Sequence, residues 1–531
     1  MDILEDFLVQ PTSPNNTSSP SSLSSSLFTR CAPRDGTPLY LVSDSSQSAI
    51  DAALAAAASL DAVLPATVTL TLLASAVRQD LAILETRQGE DGEKREAAAA
   101  SIAASPRLGK LDAAVSAVVQ EVGRVEGAVL FELGVLADCL EFYGGVQEAK
   151  AKEGDVIHGK GQAKGIVRTL PVGPVALVLP WNFPVAVLAP KLAAAWAAGC
   201  PVVVKPSPLA ARSVVRLAEY MALLDVPRAA FQVVQGGAAV GEYLVQHAQV
   251  KAVAFTGSSA VGARIHGLCA AQMKPCVLEC GGKSSLLVLD AAAAEAAAGA
   301  VAMGLGFNAA QICTFPSRVL VHETARESFL AALLAALAKE DDVQPLISPE
   351  QYRKVVRYLR SALEAGGRIV SEDKHEYLLK DDEDVTSLCF PPTVLTDVPR
   401  TAAAWNEEIF GPIVMLHTFT DVADAVAMAN SCDYGLAAGV FGSETDAVAV
   451  AKQLHAGTVY VNTYFGTEPS LDAEMPAGGW KLSGLGYECG VRPLCLSLSL
   501  FAARTHPCPS PQLEGMAAFQ KLQSLHIQQQ S

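Results

Sequence analysis

The chain has 531 residues, of which half are hydrophobic and 18% are charged, so it is long enough for two or three well-packed domains. Its formal net charge of −16 argues against nucleic acid or an anionic membrane surface as a partner. The twelve cysteines show neither a zinc-binding spacing nor an even disulfide framework, which favours a reducing compartment and predicts no metal site.

The first 35 residues are rich in Ser, Pro and Asn, a composition that buries too little apolar surface to order itself. We therefore expect residues 1–35 to be a disordered tail of a cytoplasmic protein. The serines leave an organellar transit peptide open, although Asp2, Glu5 and Asp6 are unusual in such a peptide. The longest apolar run, residues 173–204, is interrupted by Pro190 and Lys191, which argues against a membrane span.

Residues 45–147 have helical periodicity with a polar break at 88–94, and residues 154–169 carry two apolar segments around Gly-Lys-Gly, which predicts a β-hairpin arm. Two series of short apolar runs follow, spaced widely enough for helices between them, as in parallel βαβ sheets. The predicted strands cover residues 175–179, 202–204, 231–234 and 252–255, and then 285–289, 317–321, 368–370, 414–419 and 457–462. The sequence thus predicts two α/β domains and a small arm.

The stretch from Leu278 to Arg318 supplies a carboxylate, Glu279, and a thiol, Cys313, with enough chain between them for a helix. Both lie among small residues, where a backbone can approach a ligand closely. A thiol and a general base on separate loops are the pair that covalent catalysis at a carbonyl carbon requires. Taken singly, Glu279 also fits an exposed loop acid and Cys313 an inert buried thiol.

Asn182 follows the first strand of the first series, in the segment PWNFP at residues 180–184. In open parallel sheets the ligand crevice lies at the carboxyl ends of the strands, where a side-chain amide is a donor for a developing oxyanion. The competing interpretation is a proline-fixed turn in which the asparagine bonds its own backbone.

Other candidate ligand-binding residues follow later strands. Lys205 ends the second strand and is placed to bind the ribose or phosphate of a cofactor, although a lone lysine is usually solvated. Gly257 and Ser258 lead from a strand into a helix whose free amides are able to receive a pyrophosphate. A simple Ser-capped helix explains Ser258 equally well, and Glu408 also fits an ordinary turn.

The order of these motifs along the chain resembles that of the aldehyde dehydrogenase superfamily. The shared landmarks are PWNFP, KPS, FTGS, LE-x-GGK, Q-x-C, EEIFGP, YGLAAGVF and GG-x-K-x-SG. The resemblance is strong over residues 165–490 and loose over residues 35–147. It implies an α/β fold with a Rossmann-like cofactor domain (residues 36–152 and 170–278), a β oligomerisation arm (153–169), a catalytic domain (279–478) and a divergent C-terminal segment (479–531).

The same resemblance implies oxidation of an aldehyde substrate with NAD or NADP in a homodimer or homotetramer. Cys313 would be the nucleophile that forms a thiohemiacetal and then a thioester, and Asn182 with the backbone N–H of Cys313 would bind the oxyanion. Glu279 would activate the water that releases the acid, which favours hydrolysis over transfer to coenzyme A. The implied cofactor-binding residues are Trp181, Lys205 (adenosine ribose), Ser207, Gly257, Ser258 (pyrophosphate), Glu408 (nicotinamide ribose) and Phe410 (beside the ring).

Several positions depart from the family pattern. Pro208 replaces a glutamate that often binds the ribose hydroxyls, which leaves the choice between NAD and NADP open. Ala310 replaces a glycine, at a cost of about 1 kcal/mol or more if that residue has φ > 0. Tyr487 stands where an arginine is common, and after Gly490 the family's last strand is not recognisable, the alternating residues 494–501 being a weak candidate.

The substrate and two further functions stay open. Residues 311–323 and 474–476 resemble the betaine-aldehyde and aminoaldehyde branch, so Trp181, Trp405 and Glu474 are candidates for binding a cationic aldehyde, against a broad aliphatic or aromatic specificity. The departures at Pro208, Ala310 and Tyr487 and in the C-terminal segment motivate a competing hypothesis, a catalytically impaired member of the family with a binding or structural role. Ester hydrolysis through the same thiol is expected as a side reaction at most.

Overall fold

The computed structural model describes residues 8–9, 27–60, 69–89, 91–153, 156–160, 163–339, 343–371, 387–465, 473–490 and 520–528. Within these ranges two largely parallel sheets alternate with helices, which confirms the predicted α/β fold class. The helices are α1 (Gln47–Ala58), α2 (Leu70–Gln88), α3 (Gly92–Ala104), α4 (Pro106–Val122), α5 (Glu126–Glu153), α6 (Leu188–Ala197), α7 (Ala211–Ala222), α8 (Ala238–Gln246), α9 (Ser259–Ala270), α10 (Ala294–Gly306), α11 (Arg326–Leu337), α12 (Pro349–Glu364), α13 (Ala403–Asn406), α14 (Val422–Asn430) and α15 (Glu444–Ala451).

Local sequence sets the ends of these helices, as α4 illustrates. Its N-cap Ser105 accepts a hydrogen bond from the backbone N–H of Leu108, and Pro106 occupies the first helical position, where no intrahelical donor is needed. Gly123 ends the helix with φ 82°, a left-handed conformation that glycine adopts without steric cost. The polar break predicted at residues 88–94 is confirmed as the junction of α2 and α3.

The first sheet has its most deeply buried strands at its centre, where every residue of β6 (Val175–Val178) and β7 (Val202–Lys205) is buried. Its strands are β6 (Val175–Val178), β7 (Val202–Lys205), β8 (Phe231–Val233), β9 (Ala252–Thr256), β10 (Cys276–Glu279) and β20 (Gly484–Leu485). The strand order is β20-β10-β9-β6-β7-β8, and all pairings are parallel except that of β20 with β10. Because the chain runs outward from β6 to β8 and then returns to β9, the crossovers diverge between β6 and β9. The carboxyl ends of strands at such a point are where open parallel sheets usually bind ligands.

The second sheet holds the strands predicted for the second series and two that the pattern missed. They are β11 (Ser285–Val288), β12 (Arg318–His322), β13 (Arg368–Ile369), β14 (Thr393–Thr396), β15 (Ile413–Phe419), β17 (Ala437–Phe441) and β18 (Thr458–Val461), of which β14 and β17 were not predicted. Their order is β13-β14-β15-β12-β11-β17-β18, with β13 antiparallel to β14 and the other pairs parallel. Apolar clusters cover this sheet on both sides.

Smaller antiparallel sheets lie outside the two main ones. The predicted hairpin is present as β4 (Val156–Lys160) and β5 (Ala163–Pro171), and β21 (Gln520–Gln528) pairs with β5. The candidate strand at 494–501 lies outside the described residues, and the strand that pairs with the hairpin is β21. Two short strands, β16 (Tyr434–Gly435) and β19 (Trp480–Lys481), also pair.

At the N-terminus, β1 (Leu8–Val9) and β2 (Leu27–Cys31) pair with β3 (Pro38–Ser43). Residues 8–9 and 27–31 were expected to belong to a disordered tail, and this expectation is wrong because pairing with β3 satisfies their backbone groups, which a composition count does not detect. Residues 1–7 and 10–26 lie outside the described ranges.

Candidate active site

Glu279 lies where the chain passes from the first sheet to the second. It is the last residue of β10, and residues 280–284 lead directly into β11. Gly282 donates its N–H to Glu408 Oε1 at 3.0 Å, and a side chain at Gly282 would collide with the carbonyl oxygen of Cys313. The two glycines after Cys280 therefore let Glu279, Glu408 and the cysteine loop approach one another.

Cys313 is half-buried on a loop with an unusual backbone. The three residues Asn308, Ala309 and Ala310 have φ angles of 53°, 50° and 53°, all in the left-handed region. Ala310 thus has the positive φ at which we expected its replacement of the family's glycine to be unfavourable, because an L-residue is strained in this conformation and glycine is not. The buried side chain of Gln311 holds the loop by donating to Asn308 O at 2.8 Å and by accepting from Ile347 N at 2.9 Å.

Asn182 joins the first sheet to this loop. Its Nδ2 donates to Gln311 O at 2.9 Å, and Asn308 Nδ2 donates to the carbonyl oxygen of Asn182 at 3.3 Å. The side chain is buried, with 4% exposure. Asn182 does not bond its own backbone, as a simple turn would require, but reaches the segment that carries Cys313.

Burial and negative charge govern ionisation in this cluster. Burial raises the pKa of Glu279 well above its ordinary value, and the carboxylate of Glu488 raises it further, whereas Lys191 opposes the shift. Burial also raises the pKa of Cys313 to about 12, with additional contributions from Glu408 and Glu279. The backbone N–H groups of Thr314 and of Cys313 itself oppose that shift, so the loop offers some stabilisation to a thiolate.

Two further residues of the site escaped the sequence analysis. Lys191 Nζ lies 2.6 Å from Glu488 Oε1, and its side chain is 1% exposed. Glu488 in turn is the largest charged influence on Glu279. The feature of the sequence that could have revealed this ion pair is the lysine inside the apolar run of α6, because a lysine is almost never fully buried without a partner.

The predicted cofactor residues lie at the carboxyl ends of β7 and β9. Lys205 is 6% exposed and donates to Pro206 O at 3.0 Å, and burial lowers its pKa to about 8 against the influence of Asp44. Ser207 accepts from Leu209 N at 3.2 Å and begins a short 3₁₀ turn at Pro208.

Gly257 and Ser258 link the cofactor side to Glu279. Gly257 donates its N–H to Glu279 O at 3.0 Å, and a side chain at Gly257 would collide with the ring of Phe255. Ser258 caps α9 by accepting from Val261 N at 3.5 Å, so the capping interpretation is confirmed and is compatible with free amides at the same helix end.

Trp181 and Phe410 meet edge to face, with ring centroids 5.4 Å apart. Gln351 holds the backbone of Phe410, which has φ 61°, by donating to its carbonyl oxygen at 2.7 Å. Trp405, in contrast, is 1% exposed and packs on Arg318 and His417, so it is not available to a substrate at an entrance. That expectation is wrong because the local sequence does not reveal that α13 is packed into the core.

Comparison with known proteins identifies the family. The model of the aldehyde dehydrogenase family matches residues 92–495, more than half of the chain. This chain belongs to the aldehyde dehydrogenase family. None of the helices within the described ranges combines the length and apolarity needed to cross a membrane.

Named relatives resemble the chain over about two thirds or more of its length. It is 33% identical to aminoaldehyde dehydrogenase 1, peroxisomal, of Pisum sativum over 72% of this chain and 76% of that protein. It is 37% identical to betaine aldehyde dehydrogenase of Cereibacter sphaeroides over 67% of this chain and 72% of that one.

The family fold is equally clear from solved structures. An indole-3-acetaldehyde dehydrogenase of P. syringae, in complex with NAD+ and IAA, superposes with a TM-score of 0.77 at 26% identity, covering 95% of this chain and 93% of that one. An NADP-dependent enzyme of E. coli superposes with the same TM-score and identity over 95% of each chain.

Proposed function

We propose that this aldehyde dehydrogenase oxidises an aldehyde to its carboxylic acid with NAD or NADP, through a thioester on Cys313 that is hydrolysed with Glu279 as base. The observation that carries the proposal is the convergence of Asn182, Glu279 and Glu408 on the cysteine loop, from both sheets of the protein. A nucleophile, a base and an oxyanion donor are the groups that such chemistry needs.

The first step is attack by the Cys313 thiolate on the aldehyde carbon, which forms a C–S bond and moves the carbonyl electrons onto oxygen. The N–H of the Asn182 side chain that is not committed to Gln311 and the backbone N–H of Cys313 are the donors for that oxyanion. Because burial disfavours the thiolate, a base must accept the thiol proton as the substrate binds.

A bound nicotinamide would accept the aldehyde hydrogen together with its electron pair. The acyl group is then a thioester on Cys313, and Glu279 takes a proton from the water that attacks its carbonyl carbon. The C–S bond breaks, and the carboxylic acid leaves. The ion pair of Lys191 with Glu488 adjusts the basicity of Glu279, because the two charges have opposite effects on its pKa.

The residues present fit a nicotinamide dinucleotide. Gly257 provides a backbone position where no side chain fits, directly before the free amides of α9. Lys205 and Ser207 would hold the adenosine ribose. The ammonium group of Lys205 donates one hydrogen bond to Pro206 O and has two further hydrogens for a ligand. Gly257 with Ser258 would hold the pyrophosphate.

The nicotinamide end would lie at the loop that faces Cys313. Glu408 would bind the ribose there, with Phe410 and Trp181 beside the ring. Pro208 offers no carboxylate to the adenosine ribose, so both NAD and NADP are candidates.

The test is the absorbance of reduced nicotinamide with each cofactor and a panel of aliphatic, aromatic and amino-aldehydes. Cationic aldehydes belong in the panel because two of the relatives are named aminoaldehyde and betaine aldehyde dehydrogenases, and Trp181 and exposed Glu474 are the remaining candidates to bind the cation. Cys313→Ala should abolish turnover. Cys389→Ala, a half-buried cysteine whose thiol bonds Val343 O, is the matched control and should retain turnover.

Two variants separate the steps. Asn182→Ala should lower kcat by about 100-fold or more, as removal of an oxyanion donor does. Glu279→Gln should give a burst of reduced nicotinamide without sustained turnover, because the thioester forms and is not hydrolysed. Turnover that survives Cys313→Ala would refute the mechanism, and ester hydrolysis without nicotinamide would identify the side reaction.

The second candidate function is that of a catalytically impaired member with a binding role. It is favoured by the raised pKa of Cys313 and by the left-handed Ala310. A folded protein that binds NAD or NADP by calorimetry and oxidises no aldehyde of the panel would support it. The domain boundaries, the homodimer or homotetramer and the cytoplasmic location remain predictions, for which light scattering and cell fractionation are the measurements.

A further inference from the structure

The turn between α9 and β10 gathers two cysteines and a histidine away from the candidate active site. Cys269 lies in the last turn of α9 with no exposed surface, and Cys276 begins β10 and is half-buried against the same apolar cluster. Lys274 N donates to Cys269 O at 3.0 Å, which folds the turn back onto the end of the helix. The two thiols are thereby brought side by side.

The contacts within this cluster make the two thiols unequal. Cys269 and Cys276 share a hydrogen bond, and His266 Nδ1 lies 3.5 Å from Cys276 Sγ. The hydrogen bond from Cys269 lowers the pKa of Cys276, the bond from His266 lowers it further, and burial opposes both. The pKa of Cys269 is raised because it shares its proton with Cys276, although Lys274 opposes that shift.

We propose that Cys276 and Cys269 form a reversible oxidation site, at which a hydroperoxide converts the two thiols into a disulfide. The proposed aldehyde oxidation uses neither residue. His266 is exposed and Cys276 is half-buried, so an oxidant can reach Cys276, whereas Cys269 is buried in the core. An attacking thiolate that is accessible and a buried neighbouring thiol are the arrangement of a peroxide-sensitive pair.

The chemistry balances in two steps. The Cys276 thiolate attacks one oxygen of the hydroperoxide, the O–O bond breaks, and the sulfur is oxidised to a sulfenic acid while the leaving oxygen takes a proton as an alcohol or water. The Cys269 sulfur then attacks the Cys276 sulfur, the S–S bond forms, and the S–O bond breaks. The hydroxide that leaves takes the Cys269 proton and departs as water, so two thiols and one hydroperoxide give a disulfide, an alcohol and water.

A second pair of neighbouring cysteines provides an internal comparison. Cys139 and Cys489 also share a hydrogen bond, but both are buried, with 3% and 9% exposure. The pKa of Cys489 is raised well above its ordinary value, first by the hydrogen bond with Cys139 and then by burial. This pair has proximity without an accessible thiolate, so it should stay reduced under conditions that oxidise Cys276.

The modification is best measured at the cysteines themselves. Cys269 lies 11 residues after Ser258, near the other end of α9, and Cys276 lies three residues before Glu279, at the other end of β10. Cys313 is itself an expected target of peroxide, so loss of activity would be ambiguous. The reduced full-length protein is treated with hydrogen peroxide, its free thiols are blocked with N-ethylmaleimide, and it is digested with trypsin. Residues 265–283 remain one peptide because Pro275 follows Lys274.

We expect this peptide to lose two hydrogens, with fragmentation that places the disulfide between positions 269 and 276 and the label on Cys280. Dithiothreitol should restore both thiols. The bond should form about tenfold or more faster than any bond between Cys139 and Cys489, because reaction requires an accessible thiolate. The proposal would be overturned if N-ethylmaleimide still labelled Cys269 and Cys276 fully after Cys313 had been oxidised. A disulfide that involves Cys280 would also overturn it.

Variants then assign the two roles. Cys276→Ser should remove the disulfide, Cys269→Ser should leave a sulfenic acid on Cys276 that dimedone traps, and His266→Gln should slow the reaction severalfold. Cys280→Ser is the matched control and should leave the disulfide intact. If dimedone labelled Cys269 in the Cys276→Ser variant as fast as the disulfide forms in the wild type, the assignment of Cys276 as the attacking thiol would be refuted.

Discussion

Replacing Ala310 by glycine tests whether the loop that carries Cys313 is held in an unfavourable backbone conformation. The φ of Ala310 is 53°, and for an L-residue the left-handed region costs roughly 1–2 kcal/mol that glycine does not incur. The same substitution at Ala302, inside α10, provides a matched control, because Ala302 is helical and equally enclosed. Their side chains are 0% and 5% exposed, respectively.

The comparison isolates the backbone contribution. Each substitution removes a buried methyl group, worth about 0.8 kcal/mol, and each adds about 0.4–1 kcal/mol of conformational freedom to the unfolded chain. Only Ala310→Gly also relieves the left-handed conformation. We therefore expect the Ala302→Gly variant to lose about 1–2 kcal/mol of unfolding free energy and the Ala310→Gly variant to remain within about 1 kcal/mol of the wild type.

Urea unfolding followed by circular dichroism measures both variants, with the slope of each transition checked against that of the wild type. The expected result is a difference of about 1–2 kcal/mol between the variants in favour of Ala310→Gly. Equal losses at the two positions would show that the left-handed alanine carries no penalty, and the reasoning about this loop would fail.

Three further outcomes follow from the buried charges. Burial and Glu488 hold the pKa of Glu279 above its ordinary 4.5, so ionisation of this residue in the unfolded chain above that pH destabilises the native state. The Glu279→Gln variant should therefore be more stable to urea than the wild type at pH 7. A gain in stability of the same size at pH 4 would contradict this. Glu408→Gln should speed alkylation of Cys313 by iodoacetamide at pH 8, because losing a negative charge lowers the thiol pKa, and an unchanged rate would exclude that influence. Lys191→Met should cost about 3 kcal/mol or more in urea unfolding by leaving Glu488 unpaired, and adding Glu488→Gln should recover part of the loss rather than increase it.

Much of the architecture is encoded in local sequence. Continuous apolar runs such as residues 202–204 predict strands covered on both faces, and the wide spacing between them predicts parallel crossovers. Asn182 and Gly257 could be assigned to the carboxyl ends of strands for the same reason. The cap at Ser258 likewise depends only on residues within one helical turn.

Contacts between distant segments, in contrast, depend on the tertiary structure. Asn182 reaches Gln311, 129 residues away, and Lys191 pairs with Glu488, because the first sheet packs beside the cysteine loop and β20 returns to β10. Trp405 is buried and β21 pairs with the hairpin for equally non-local reasons. Periodicity and capping act over a few residues, whereas partners across two sheets are selected by the packing of whole elements, which no single segment of the sequence contains.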